Sequence, residues 1–257
     1  MDIKIIVATH KDYFMPHDGM YVPVRVGNAL AKEDFGYQGD DSGDNISEKN
    51  PYYSELTALY WAWKNLKADY IGLAHYRRHF SLKRKGNDWE SVLTTTEAEW
   101  LMQNYDVVVT KKRRYWIETI ESHYKHTHDI SHLKFTREII AERCPEYLEA
   151  FDKVMKGTGA HMFNMFIMKR QLADEYCEWM FGILFQLEKR IDIKNIDPFQ
   201  ARLFGRVSEF LLDVWLRTKG QKYKAISYVQ IGPYNFWTKV KNFLNAKLLG
   251  KKYSKSA

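Results

Sequence analysis

The hydrophobic pattern divides the chain into short apolar runs and longer segments in which apolar residues recur every three to four positions. Short runs rich in β-branched residues are typical of buried strands, whereas the longer spacing is typical of amphipathic helices. The predicted strands are 3–9, the apolar run that ends at His75, 105–110 and 162–168. The predicted helices are 52–66, 136–143, 172–190 and 198–217, and a loop is predicted over 36–51. This alternation predicts an α/β fold.

Two of the predicted strands end abruptly in polar clusters. The first runs into His10-Lys11-Asp12, and the second ends in His75-Tyr76-Arg77-Arg78. Open α/β sheets bind ligands in the crevice beyond the carboxyl ends of their strands. The planar guanidinium groups of Arg77 and Arg78 match the oxygens of a phosphate or carboxylate. The pattern predicts an anion site here, with a solvated strand end as the alternative.

Length and composition indicate a globular protein. The chain has 257 residues, 45% of them hydrophobic, which suffices for one large core or two small ones. No repeat or low-complexity linker divides it, so we predict one domain over 1–220 and an extension over 221–257. Cys144 and Cys177 lie far apart without a metal-ligand spacing, which favours a reducing compartment. No signal peptide or membrane-spanning run is recognisable, so we expect a cytoplasmic protein.

The positive charge is unevenly placed. The formal net charge is +7, and clusters of cations occur at 83–85, at 111–114 and near the end of the chain. Such clusters attract phosphates, nucleic acid or anionic lipid by the same electrostatics. Over 235–254, apolar residues recur at helical spacing among lysines, which predicts a basic amphipathic helix. That helix either lies in a membrane interface or packs on the body of the protein.

A polar residue interrupts the predicted strand 162–168. Asn164 stands among methionines and phenylalanines, and a buried asparagine must form hydrogen bonds. Asn164 therefore either braces a neighbouring loop or faces a ligand. The surrounding methionines are interpreted as core.

Several motifs, in order along the chain, resemble those of one family. They are Thr9-His10-Lys11, Gly43-Asp44-Asn45-Ile46-Ser47, Lys49-Asn50-Pro51, Ser54-Glu55-Leu56-Thr57-Ala58-Leu59-Tyr60-Trp61, His75-Tyr76-Arg77-Arg78, Asn164-Met165-Phe166-Ile167-Met168, Arg202-Leu203-Phe204-Gly205 and Ser208-Glu209. Together they resemble small bacterial capsular and exopolysaccharide glycosyltransferases long catalogued as a domain of unknown function, DUF4422. The resemblance covers about residues 3 to 220. It implies a single GT-A-like (Rossmann-like) domain, with a mixed, mostly parallel sheet flanked by helices.

The resemblance also implies where a nucleotide sugar binds. A GT-A fold places the nucleotide at the end of the first strand, here Ala8, Thr9, His10 and Lys11. A later strand of that fold ends in a metal-binding acidic triplet, but this sequence has His75-Tyr76-Arg77 there. Histidine and arginines, including Arg78, can neutralise a diphosphate without metal. Dependence on Mn²⁺ or Mg²⁺ therefore stays open, and the candidate ligands are Asp40, Asp41, Asp44 and His75.

The remaining site residues follow from the same resemblance. Asn50, Asn164, Met165 and Arg202 are predicted on the donor side. Transfer to a hydroxyl group calls for a carboxylate that accepts its proton. The candidate acids are Glu209, Asp197 and Glu55. Glu209 is favoured, and Glu55 can equally cap its helix or hold a ribose.

The predicted function is glycosyl transfer from a UDP-sugar to a lipid-linked oligosaccharide in capsule, exopolysaccharide or O-antigen synthesis. Galactofuranose or galactose is the favoured sugar, on resemblance alone. The expected location is the inner face of the plasma membrane, where the basic helix predicted over 235–254 would bind the anionic lipid surface. Alternative hypotheses are a nucleic-acid-binding protein, suggested by the isoelectric point of 9.1, and a non-catalytic scaffold on a membrane surface. No nucleic-acid motif supports the first alternative, so no nucleic-acid partner is expected.

Overall fold

The protein is an α/β structure, seen in a computed structural model that describes residues 1–83, 88–193 and 195–232. The strands are β1 (Ile3–Thr9), β2 (Tyr21–Arg25), β3 (Gln38–Gly39), β4 (Tyr70–His75), β5 (Arg78–Ser81), β6 (Val107–Thr110), β7 (Arg113–Arg114), β8 (Gly159–Ala160), β9 (Phe166–Lys169) and β10 (Lys224–Gln230). The helices are α1 (Asn50–Tyr53), α2 (Leu56–Asn65), α3 (Thr95–Met102), α4 (Ile120–Thr127), α5 (Ser131–Arg143), α6 (Leu148–Met155), α7 (Arg170–Arg190) and α8 (Leu203–Thr218). Strands β7 and β8 form a separate two-stranded ribbon, and the other strands form one sheet.

The sheet reverses direction at β1. From β1 the chain moves outward to β2 and β3, and it then returns to β4 on the other side of β1, with all four strands parallel. Such a reversal opens a crevice at the carboxyl ends of the two central strands. The crevice here lies beyond Thr9 and His75, which are the last residues of β1 and β4.

The other half of the sheet is mixed. Strand β9 lies antiparallel between β4 and β6, while β10 runs parallel to β6 and antiparallel to β5. These pairings make β6 parallel to β4, so the carboxyl end of β6 lies at the same edge as the crevice. Four of the eight pairings described in this sheet are parallel and four are antiparallel. The prediction of a mixed sheet is thus confirmed, but the expectation that it is mostly parallel is wrong.

Alternating side chains of the strands pack into two hydrophobic cores, one on each face of the sheet. Ile6 and Ala8 of β1 pack with α2, α7 and α8 on one face, while Ile5 and Val7 pack toward α3 on the other. Burial of apolar side chains on both faces explains the nearly uninterrupted hydrophobic runs of β1 and β4. Since His75 continues the alternation of Ile71 and Leu73, its side chain lies on the face that α2 and α8 cover.

Several predicted boundaries are wrong. The predicted helix 52–66 breaks into α1 and α2 at Ser54, whose φ is 53°. The predicted strand 162–168 begins only at Phe166, because Phe163 and Asn164 have φ values of 75° and 55°. Strand β10, which follows the domain boundary predicted after residue 220, pairs with β5 and β6 in the sheet, and that boundary stays a prediction.

Two expectations concern the end of the chain and membranes. The helix predicted over 235–254 lies outside the described residues. Within 1–83, 88–193 and 195–232, each helix is too short or too polar to cross a bilayer.

Candidate functional site

A cluster of cations and aromatic rings occupies the crevice beyond β1 and β4. The loop after β1 is fixed by Thr9, whose Oγ1 donates to the carbonyl oxygen of Lys11 at 2.6 Å. The loop after β4 is tied to β1, because the Tyr76 N–H donates to the Ala8 carbonyl oxygen at 3.2 Å. The Tyr76 ring lies 5.3 Å from that of His10, and both Lys11 and Arg77 lie over it. The two polar clusters predicted from the sequence therefore form one site.

The two arginines after β4 retain hydrogen-bonding capacity. The Nε atoms of Arg77 and Arg78 are buried without a hydrogen-bond partner among the residues that the structure describes. The guanidinium carbon of Arg78 lies 4.3 Å from the ring centroid of Phe163, within the range of a cation–π contact. Buried polar groups normally have partners, so unpaired guanidinium donors at a crevice are suited to an anionic ligand.

A strained turn at Phe163 and Asn164 organises the inner part of the site. Both residues have a left-handed backbone, which is unfavourable for a bulky residue such as Phe163 and often marks functional sites. The Phe163 carbonyl oxygen lies 2.7 Å from His75 Nε2. A carbonyl oxygen only accepts, so Nε2 carries the proton. Burial raises the pKa of Glu209, and the backbone of Phe163 lies close enough to the carboxylate to lower it in part. The turn therefore adjoins both His75 and Glu209.

Asn164 braces the same region through its side chain. Its Nδ2 donates to Glu55 Oε1 at 2.8 Å and to the Gly205 carbonyl oxygen at 3.1 Å. Its Oδ1 accepts a hydrogen bond from Ser208 Oγ at 3.0 Å. The residue is 1% exposed, and both polar atoms of its side chain have protein partners. Of the two roles left open by the sequence, the structure shows the brace.

The close approach of α8 to the break between α1 and α2 depends on a glycine. A Cβ atom at Gly205 would lie 3.3 Å from the Tyr53 carbonyl oxygen and 3.4 Å from Ser54 Cβ. The left-handed Ser54 turns the chain so that Glu55 comes directly before α2. These two local features bring Glu55 of one segment toward Glu209 of α8.

The two carboxylates differ in environment. Burial and the nearby charge of Glu55 raise the pKa of Glu209 to about 7, although Arg113 and Arg78 partly offset the effect. Glu55 instead receives the Asn164 hydrogen bond. Burial also lowers the pKa of His75, and Arg78 and Arg202 lower it further against the opposing effect of Glu55. A neutral His75 and a carboxyl group that titrates near neutrality are suited to proton transfer.

Three further arginines lie in this region, and two of them, Arg206 and Arg113, were not predicted from the sequence. Arg202 Nε donates to Ser54 Oγ at 3.0 Å, and its charge acts on both His10 and His75. Arg206, one helical turn further, has its pKa lowered to about 10 by burial and by Arg202. The four-residue spacing of Arg202 and Arg206 indicates that both lie on the same face of a helix, so the sequence could have suggested Arg206 as well. Arg113, whose charge acts on Glu209, gave no signal beyond belonging to a basic run.

Several predicted site residues support the fold rather than the crevice. Met165 and Ala8 are buried in the core, so neither side chain faces a ligand. The Asn50 side chain donates to the Ser54 carbonyl oxygen at 2.8 Å and holds the break before Glu55. Asp197 is exposed, and its Oδ1 accepts the backbone N–H groups of Phe199 and Gln200. These four positions are corrections to the predicted site.

The three aspartates among the candidate metal ligands hold a loop in place through hydrogen bonds. Asp40 is fully buried and accepts hydrogen bonds from the Gly27 and Asn28 N–H groups and from Ser47 Oγ. Asp41 accepts the Asn28 amide, and Asp44 accepts the Tyr60 hydroxyl. Within the described ranges, no three His, Cys, Asp or Glu residues are grouped to hold a metal ion. The prediction that Asp40, Asp41, Asp44 and His75 could share a metal is therefore unsupported by the geometry.

Comparison with known proteins agrees with this architecture. A family model described as a domain of unknown function, DUF4422, matches residues 4–221. The chain belongs to the DUF4422 family. No curated protein matches the chain. The DUF4422 chain is similar to an apo structure of the bifunctional glycosyltransferase WbbM, with a TM-score of 0.84 and 29% sequence identity. The similarity covers 92% of this chain and 46% of that one, so the chain spans about half the length of the solved protein.

Proposed function

We propose that the protein is a nucleotide-sugar-dependent glycosyltransferase with a GT-A-like domain. The observation that carries the proposal is the placement of Glu209, with its pKa raised to about 7, beside a crevice lined by Arg77 and Arg78. Family membership and the similarity to a named glycosyltransferase support it.

The donor diphosphate would lie beyond β1 and β4. Lys11, Arg77 and Arg78 supply fixed positive charge there, and Arg202 adds a cation from α8. Fixed donors stabilise the charge that develops on a leaving diphosphate. These side chains can do so with or without a divalent cation.

The chemistry would be one displacement at the anomeric carbon. Glu209 takes the proton of the acceptor hydroxyl group, and the hydroxyl oxygen forms a bond to that carbon. The bond to the diphosphate oxygen breaks, and its electron pair leaves with the nucleoside diphosphate. Asn164 holds the Glu55 carboxylate in place through a hydrogen bond. The charge of Glu55, together with burial, keeps the pKa of Glu209 suited to accepting this proton.

We extend the proposal to a UDP-hexose donor, with galactose or galactofuranose favoured, and to a lipid-linked oligosaccharide acceptor. The sugar and the polymer, whether capsule, exopolysaccharide or O-antigen, rest on the motif resemblance alone. A lipid-linked acceptor would place the protein on the inner face of the plasma membrane.

A donor panel tests the proposal. Thermal unfolding of the full chain is measured with UDP-, GDP-, ADP- and dTDP-sugars, each with and without Mn²⁺, because a ligand of the native state raises the melting temperature. We expect a UDP-sugar to give the largest rise, and we expect Arg77→Gln to abolish it. Arg137→Gln serves as the matched control, since Arg137 pairs with Asp152 on the surface.

Two results would count against the proposal. If no nucleotide sugar shifts the melting temperature or is turned over with an oligosaccharide acceptor, the protein is not such a transferase. A shift that Arg77→Gln and Arg137→Gln alter equally would show that the donor binds elsewhere.

A further inference from the structure

Residues 111–117, here called the 111–117 patch, project from the edge of the sheet that carries the candidate site. The patch follows β6, whose carboxyl end lies at the same edge as those of β1 and β4. It begins with Lys111-Lys112-Arg113-Arg114, all exposed, and ends with Trp116 and Ile117. Trp116 is 88% exposed and Ile117 is 72% exposed.

Adjacent exposure of two large apolar side chains is unusual even though single exposed ones are common. The segment that carries them is well fastened. At one end the Tyr115 N–H donates to the Thr158 carbonyl oxygen at 2.6 Å, and at the other the Ile120 N–H donates to the Gly157 carbonyl oxygen at 2.8 Å. Trp116 and Ile117 are therefore presented on a rigid base.

Two of the four cations of the patch, Lys111 and Arg114, are available to a partner. Lys112 is neutralised by an ion pair with Asp213 at 2.6 Å. The Lys111 Nζ donates to the neutral Ser227 hydroxyl, and among the described residues neither Lys111 nor Arg114 has an ion-pair partner. Tryptophan prefers the interfacial region of a bilayer, and Lys and Arg prefer its anionic surface. Apolar tips next to unpaired cations fit that combination.

We propose that the 111–117 patch binds the surface of an anionic lipid bilayer, with Trp116 and Ile117 at the depth of the headgroups. This orientation turns the crevice toward the membrane. The proposal deepens the proposed function, on which it rests for the lipid-linked acceptor, but its test needs no transfer reaction.

Binding to vesicles provides the first test. The full chain is sedimented with phosphatidylcholine vesicles that contain either no phosphatidylglycerol or about 30% of it. We expect binding only to the anionic vesicles. The double variant Trp116→Ser/Ile117→Ser should weaken it about tenfold or more, and Arg114→Gln should weaken it roughly fivefold. Trp100→Ser is the matched control, because Trp100 is an exposed indole on α3.

Quenching by brominated lipid gives the second test, which reports the position of individual indoles relative to the bilayer. Bromine atoms on the lipid chains quench only indoles within the bilayer. We expect Trp116→Phe to remove most of the quenching, and Trp100→Phe to retain it.

The outcomes separate the two proposals. Unchanged vesicle binding of the double variant, together with unchanged quenching of Trp116→Phe, would overturn the membrane assignment. If the double variant binds vesicles normally but has lost affinity for a soluble oligosaccharide, the membrane assignment is also overturned. The patch would then be assigned to carbohydrate binding. Vesicle binding by a protein that turns over no nucleotide sugar would retain the patch assignment and remove the proposed function.

Discussion

Replacement of Glu209 by glutamine should change how stability depends on pH. The carboxyl group has its pKa raised from an ordinary value of 4.5 to about 7 by burial and by the charge of Glu55. Ionised Glu209 is therefore unfavourable in the folded protein. Glutamine has nearly the same shape and stays neutral, so Glu209→Gln removes this cost without opening a cavity.

The sign and size follow from proton linkage. Because the folded pKa is above the unfolded one, the contribution of Glu209 to stability is fully present below about pH 4.5. It is lost as the pH rises through 7. The two pKa values correspond to a total loss of about 3 kcal/mol, most of which falls between pH 5 and pH 8. Glu209→Gln should therefore gain most of this free energy relative to the parent over that interval.

Urea denaturation of both proteins at several pH values measures the difference directly, and titrations common to both proteins cancel. Glu178→Gln, at an exposed glutamate of α7, is the matched control and should show a profile parallel to the parent. If the parent and Glu209→Gln differ by a constant free energy, within about 0.5 kcal/mol, the argument for a buried, repelled carboxyl group is refuted.

Three further predictions concern the site. Glu209→Gln should retain donor affinity but lower turnover about a hundredfold or more, measured as release of nucleoside diphosphate, and normal turnover would remove it from the mechanism. Arg77→Ala and Arg78→Ala should each weaken donor binding by roughly 1.5–3 kcal/mol in calorimetric titration; unchanged affinity in both would disprove the anion site. Asn164→Ala should lower the free energy of unfolding by about 3 kcal/mol or more, because three partners lose a hydrogen bond, whereas Asn104→Ala on the surface should cost under about 1 kcal/mol. A similar loss in both asparagine variants would contradict the bracing role.

The outer part of the site was predictable from local pattern. The strands β1 and β4 are continuous apolar runs, and each is followed directly by its polar cluster. Each cluster was predicted as a ligand-facing strand end, and because β1 and β4 prove to be parallel neighbours, His10, Lys11, Arg77 and Arg78 lie at one edge of the sheet. The motif resemblance, which the family match confirms, added the function to be tested.

The inner part required the tertiary structure. Apolar letters around Asn164 predict a strand, but contacts with Glu55, Gly205 and Ser208, which are distant in sequence, hold Phe163 and Asn164 in a left-handed turn. Strand propensity depends on residues close in sequence and does not include such long-range hydrogen bonds. The tertiary contacts therefore determine the backbone at these two residues.

The sequence by itself determined an α/β fold with cations at the ends of two central strands, because hydrophobic period and chain order are local properties. Only the tertiary structure decided that Met165 is core, that Asp40 holds a loop in place and that Glu209 of α8 lies near the charge of Glu55. Burial and this charge together raise the pKa of the proposed base. A pKa depends on burial and on charges close in space, and the sequence alone gives neither of these quantities.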